Sequence, residues 1–400
     1  MTAPVDPSAG PPSDPGKTRI VFVDIGRGIA ALLVVYTHLR VVWMHREHGI
    51  SSPVTDAVSA AFTTPLHLVG QDLGQISAPF FFLASGFVIP SLVLRHGQRR
   101  FAVNRFFRIY PTLAFAVLLA AGAMLLGLHP IQTDGPGVVT PLTVLTNITL
   151  ANYVIYPQVT LLGLTWTLVV EIIFYLLLMF LLPVLRRATW LAIGVELTLI
   201  EVVMMTRGAF GPSYSQFAFS MSLATLPVIG QIIWAGYTRR IPGWVAAVYV
   251  GVAWSLFLWA KALDVGNIEA GYPTAVTLAI LLFLFGMFAE SHLRQRPVWT
   301  WLSERTYSIY LVHGVTVFVV LDALYRHVPL WVAVVVALAV TAGVAEVTYR
   351  FVERPSRSLG RSWAGGRAGR RSRAGPVRSD PPTDPVPVRE ASPSGPGIRR

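Results

Sequence analysis

The sequence predicts an all-α, polytopic membrane protein with about ten transmembrane helices and both termini cytoplasmic. Three observations predict it. Of 400 residues, 54% are hydrophobic and only 13% are charged, against roughly 25% charged in ordinary soluble domains. The apolar residues fall in blocks of about twenty, the length that crosses a hydrocarbon core. The arginines between those blocks are distributed unevenly between the two sides.

In order, the spans read as 20–43, 74–94, 106–128, 164–184, 188–206, 217–237, 242–261, 273–290, 304–325 and 329–351. With the N-terminus inside, twelve arginines fall on inner connections, among them Arg95, Arg99, Arg186, Arg239 and Arg294. Arg40, Arg46, Arg207, Lys261 and Arg326 fall outside, which agrees with the positive-inside rule. Residues 142–156, "LTVLTNITLANYVIY", are short and dotted with polar groups, and read as an outer re-entrant or interfacial segment. Counting them as a span would invert every later loop. No internal repeat is evident, which argues against a transporter.

The flanks differ in kind from this 18–355 membrane domain. Residues 1–17 are Pro-rich and lack the basic start and apolar core of a signal peptide, so they read as a disordered segment. Residues 356–400 hold ten arginines against Asp380, Asp384 and Glu390, and so supply seven charges of the net +12. Rich in Pro, Gly and Ser, they read as a disordered basic tail. The basicity is therefore no nucleic-acid footprint; beside a last span it points to anionic lipid. The absence of cysteine excludes disulfides and thiol catalysis.

Polar groups inside apolar blocks carry the functional signal, because a charge at mid-bilayer costs about 2.5–3.5 kcal/mol on insertion scales. In "DIGRGIAALLVVYTHLR", Arg27 and His38 are eleven residues apart, about 16 Å along a helix and on the same face. Arg27 then lies about 10 Å from the inner end of its span, with Asp24 one turn earlier as a possible ion-pair partner. His38 lies about 8 Å from the outer end. Glu171, in "LTWTLVVEIIFYLL", is seven residues into a helix entering from outside. That puts it level with His38, where a carboxylate would orient the imidazole as a general base. In "RRFAVNRFFRIYP", Arg105 and Arg108 share a helix face and present two guanidinium forks to a phosphate, or else serve as inner anchors. In "SAPFFFLASGFVIP", Ser85 and Gly86 read as a close-packing pair rather than as a nucleophile site. No cluster with metal-ligand spacing occurs, so no metal is expected.

These residues carry a family resemblance that covers 18–355. "DIGRGIAALLVVYTH", "FFFLASGFVI", "RFFRIYP", "TWTLVVEIIFYLL", "TYSIYLVHGV" and "FVERP" resemble, in order, the motifs of the acyltransferase-3 family of membrane O-acyltransferases. The resemblance implies transfer of an acyl group, acetyl in the first instance, from acyl-CoA to a carbohydrate, surface glycan or glycosylated metabolite. The setting it implies is the bacterial cytoplasmic membrane. It implies that His38 is the catalytic histidine, with Glu171 in the catalytic cavity, and that Arg27, Arg105 and Arg108 attend the donor's phosphates. Two departures stand out: Ile172 and Ile173 follow Glu171 where relatives keep polar residues, and no hydrolase-like domain follows the last span. Tyr310 and His313 match a recurrent motif, and His313 reads as structural. The rival reading is a multi-pass exporter of a lipid-linked sugar or drug, its buried charges lining a permeation path.

Overall fold

The structure is a computed structural model and describes residues 19–68, 72–131, 138–263, 265 and 268–365. Among the described residues every regular element is helical. In chain order these are α1 (Val21–Thr37), α2 (Pro53–Val58), α3 (Ser77–Leu125), α4 (Pro141–Thr149), α5 (Trp166–Phe180), α6 (Leu182–Arg187) and α7 (Thr189–Met205). There follow α8 (Pro212–Leu223), α9 (Thr225–Tyr237), α10 (Gly243–Ala262), α11 (Tyr272–Ala289), α12 (Pro297–Leu324), α13 (Leu330–Thr348) and α14 (Arg354–Gly365).

Seven of the described helical stretches are long and apolar enough to cross a membrane, and α5 is a shorter apolar helix. One of the seven, Asp72–Leu125, is 54 residues long and breaks at Gly97. There φ is +72° and ψ 168°, a left-handed backbone that glycine adopts without a Cβ clash. Its two halves occupy the positions of two separately expected spans. The outward faces of α10, α11 and α13 expose Trp244, Val248, Phe285, Phe288, Trp331 and Val335. Helices that are apolar on both their packed and their open faces are built for lipid rather than water.

The helix α3 forms the axis of the bundle, packing against α1, α9, α11 and α12, with α4 and α5 also in contact. The α3–α9 crossing is the tightest: a Cβ on Gly86 would stand 1.9 Å from the Pro227 carbonyl oxygen, and one on Gly230 would stand 2.3 Å from that of Leu83. Gly86 thus has the packing role read from the sequence, and Ser85 beside it turns its hydroxyl the other way, into the space between α3 and α5. The segment expected to lie at an interface forms the nine-residue α4 and a short turn at Ala151–Tyr153.

At the other end, α14 carries regular helix ten residues beyond the expected tail boundary, to Gly365. The rest of that tail and the 1–17 segment lie outside the described residues.

Candidate active site

One cavity of about 400 Å³ runs between α1, α3, α5 and α12, and Arg27, His38, Arg105, Arg108 and Glu171 all line it. Five residues spread over 145 positions of sequence therefore meet in one space. Tyr307, Tyr310, Ser85, Trp166 and Arg46 share its wall with apolar side chains such as Val88, Ile89 and Leu92.

Each side chain is placed by its helix. Arg27 and His38 face the cavity together because α1 is regular up to Thr37, so eleven residues return to one face. At His38 the winding widens to a π-helix that continues to Glu47, a local change often found at functional positions. Arg105 and Arg108 reach in from the second half of α3. The guanidinium of Arg105 lies over the rings of Phe101 and Tyr175, 5.3 and 5.2 Å from their centroids.

The partner of His38 corrects the expected pairing. His38 Nδ1 is 2.8 Å from Nε2 of His313, the two rings nearly parallel with centroids 5.1 Å apart. His313 Nδ1 is 3.1 Å from the Ile309 carbonyl oxygen. A carbonyl can only accept, so His313 donates from Nδ1 and its neutral ring accepts at Nε2. His38 then donates from Nδ1, which leaves its own Nε2 with a free lone pair at the cavity. This is the tautomer a general base requires. His313, read from the sequence as structural, is fully buried and fixes that tautomer.

Glu171 belongs elsewhere in the cavity. Its Oε1 accepts from Ser85 Oγ at 2.9 Å and from the Tyr175 hydroxyl, and its charge acts on Arg27 and Arg105. The physical reason is where α5 begins. Thr160, Leu161 and Leu162 are buried in a non-helical approach, and the helix starts only at Trp166. The helix α5 therefore begins inside the bundle, and Glu171 on it bonds to Ser85 of α3 and Tyr175 of its own helix instead of to His38. The expected Asp24–Arg27 pair is also replaced: Asp24 accepts from Ser303 Oγ at 2.7 Å and Gln295 Nε2 at 3.3 Å.

The electrostatics of the cavity follow. Among the described residues no carboxylate lies within ion-pair distance of Arg27, Arg105 or Arg108, although other arginines have such partners. Glu171 contributes one negative charge near three guanidinium groups. An anion with several acceptor oxygens would complete them. Tyr310, three residues before His313 on α12, donates its hydroxyl to the Leu164 carbonyl at 2.5 Å and so ties the α5 approach to α12. Among the described residues no group of three or more His, Asp or Glu is placed to hold a metal ion.

A histidine pair and a cluster of arginines thus line one cavity inside an apolar helical bundle. The chain matches the acyltransferase-3 family, described as an acyltransferase domain, over residues 20–350. It belongs to that family of membrane O-acyltransferases. It is similar to Nodulation protein 10 of Rhizobium leguminosarum bv. viciae, with 23% identity over 383 residues, covering 88% of this chain and 96% of that protein. No solved structure matches the chain. Family membership makes the protein an enzyme and sets the exporter reading aside.

Proposed function

We propose that the protein transfers an acyl group, acetyl in the first instance, from acyl-CoA to a hydroxyl of a carbohydrate, surface glycan or glycosylated metabolite. Its setting is the bacterial cytoplasmic membrane, with about ten spans and both termini cytoplasmic. The observation that carries the reading is the shared cavity, lined by an imidazole with a free Nε2 and by three guanidinium groups that, among the described residues, have no carboxylate within ion-pair distance.

The donor's phosphates fit Arg105, Arg108 and Arg27, and its flexible arm and acyl chain fit the apolar wall of Val88, Ile89 and Leu92. His38 Nε2 takes the proton of the acceptor hydroxyl as its oxygen attacks the thioester carbonyl carbon. The resulting imidazolium keeps its Nδ1–H bond to His313. Collapse of the tetrahedral adduct breaks the C–S bond, and the departing thiolate takes the proton back from His38 Nε2. The thioester is already activated, so one base and accurate positioning are a sufficient toolkit. Glu171, with Ser85 and Tyr175, holds the guanidinium cluster in place and does not act on the imidazole.

The test joins chemistry to biology. Mass spectrometry of envelope glycans and secreted metabolites, with and without the gene, should reveal an acyl mass lost with the gene. The acceptor so identified should trigger free-thiol release from acetyl-CoA by the purified protein. Unchanged glycans and metabolites, or an acceptor acylated without thiol release, would overturn the reading.

A further inference from the structure

The helix α14 carries Arg354, Arg357 and Arg361, and the mechanism above uses none of them. One face of this helix is set against residues that adjoin the cavity wall. Glu353, just before it, is only 1% exposed. Its Oε2 accepts from Ser308 Oγ at 2.7 Å, and Ser308 adjoins Tyr307, which lines the cavity. Its Oε1 accepts from Arg357 Nη1 at 3.3 Å. One turn on, Gly360 packs against Phe107, and the Trp363 ring lies 6.0 Å from the Phe107 ring. Phe107 immediately precedes Arg108.

Arg357 thus belongs to a helix that packs on the residue next to Arg108. Its side chain remains 30% exposed, so it is reachable. Arg357 has an ion-pair partner in Glu353, and among the described residues Arg27, Arg105 and Arg108 have no carboxylate within ion-pair distance. Guanidinium groups this short of carboxylates form an arrangement that a polyanion would relieve.

His38, Arg27, Arg105 and Arg108 line the cavity, whereas Arg357 lies off its wall, on the helix that packs against Phe107 beside Arg108. An acyl-CoA likewise carries a diphosphate beyond its flexible arm and a separate ribose phosphate at its nucleotide end. We propose that Arg357 forms a second phosphate subsite, outside the cavity, that binds the ribose phosphate of the acyl-CoA donor. This rests on the donor reading given above and deepens it.

The test is binding of CoA and of 3′-dephospho-CoA to the purified full chain in neutral detergent, followed by calorimetry. The wild type should bind CoA about tenfold more tightly than the dephospho form, the worth of one charge-assisted hydrogen bond. Arg357→Ala should lose that preference by weakening CoA alone; its affinity for 3′-dephospho-CoA, unchanged, reports an intact cavity. Arg357→Lys should retain part of the preference, and serves if the alanine variant does not fold. Equal wild-type affinity for the two ligands, or an equal loss of both in Arg357→Ala, would overturn the subsite. So would a preference that arises only when anionic lipid is supplied, since Arg357 would then be serving a headgroup. No binding of either ligand by the wild type would instead remove the donor reading itself.

Discussion

At the scale of single residues, the imidazole pair determines what the site can do. A lone neutral histidine has two tautomers of similar energy, and only one offers a lone pair on the cavity side. The chain from His38 through His313 to the Ile309 carbonyl selects it with two hydrogen bonds. His38→Ala should lower kcat by about 10²–10⁴-fold, the usual worth of a general base, with donor affinity retained. His313→Ala should cost roughly tenfold in kcat at unchanged KM for the donor, and His313→Gln, which can still accept from His38, should recover part of it. Full activity in His38→Ala would remove the base from the mechanism. The arginines divide the labour differently. Arg105→Ala with Arg108→Ala should raise KM for acyl-CoA about tenfold or more, each lost charge-assisted bond being worth ~1.5 kcal/mol. An unchanged KM would return these two residues to the role of membrane anchors.

At the scale of helices, the cavity exists because α3 is pinned tightly on its far side. Gly86 and Gly230 bring α3 and α9 into backbone contact, which draws this half of α3 toward α9 and leaves room for Ser85 and Glu171 on the other face. Alanine at either glycine would place a methyl carbon inside a neighbouring carbonyl. Gly86→Ala should therefore destabilise the fold by about 3 kcal/mol, seen as a lowered melting temperature in detergent. Gly343→Ala, on α13 with no atom within 4 Å of the added carbon, should melt with the wild type. Not every buried arginine serves the cavity. Arg305 makes a bidentate pair with Glu346 of α13 and lies between Trp301 and Tyr349, 4.6 and 4.4 Å from their ring centroids. Its work is to fasten α12 to α13.

At the scale of the whole molecule, the bundle presents apolar side chains outward and keeps its charges for the interior and the connections. The absence of cysteine makes the orientation directly measurable, since any introduced thiol is unique. With both termini cytoplasmic, Gly208→Cys should react with an impermeant maleimide on intact cells. Ser291→Cys should react only after the membrane is opened. The reverse pattern would invert the bundle, and donor entry would then have to be reassigned.

Some of this was legible in the sequence by itself, because burial in lipid leaves a compositional mark. Apolar blocks gave the membrane-helical class, and costly polar residues within them pointed to Arg27, His38, Arg105, Arg108 and Glu171, all of which line one cavity. The periodicity of α1 sufficed to put Arg27 and His38 on one face. What tertiary structure decided was which of these groups touch. Glu171 was assigned to His38 on equal depth, but depth along an axis does not say which neighbour a side chain faces, and Glu171 bonds to Ser85 and Tyr175 instead. His313 is apolar in its surroundings and distant in sequence, so only the packing of α12 on α1 revealed it as the partner. Local chemistry fixes which residues are expensive to bury. Where each helix begins, and how it is rotated against its neighbours, fixes which of those costs are offset by one another.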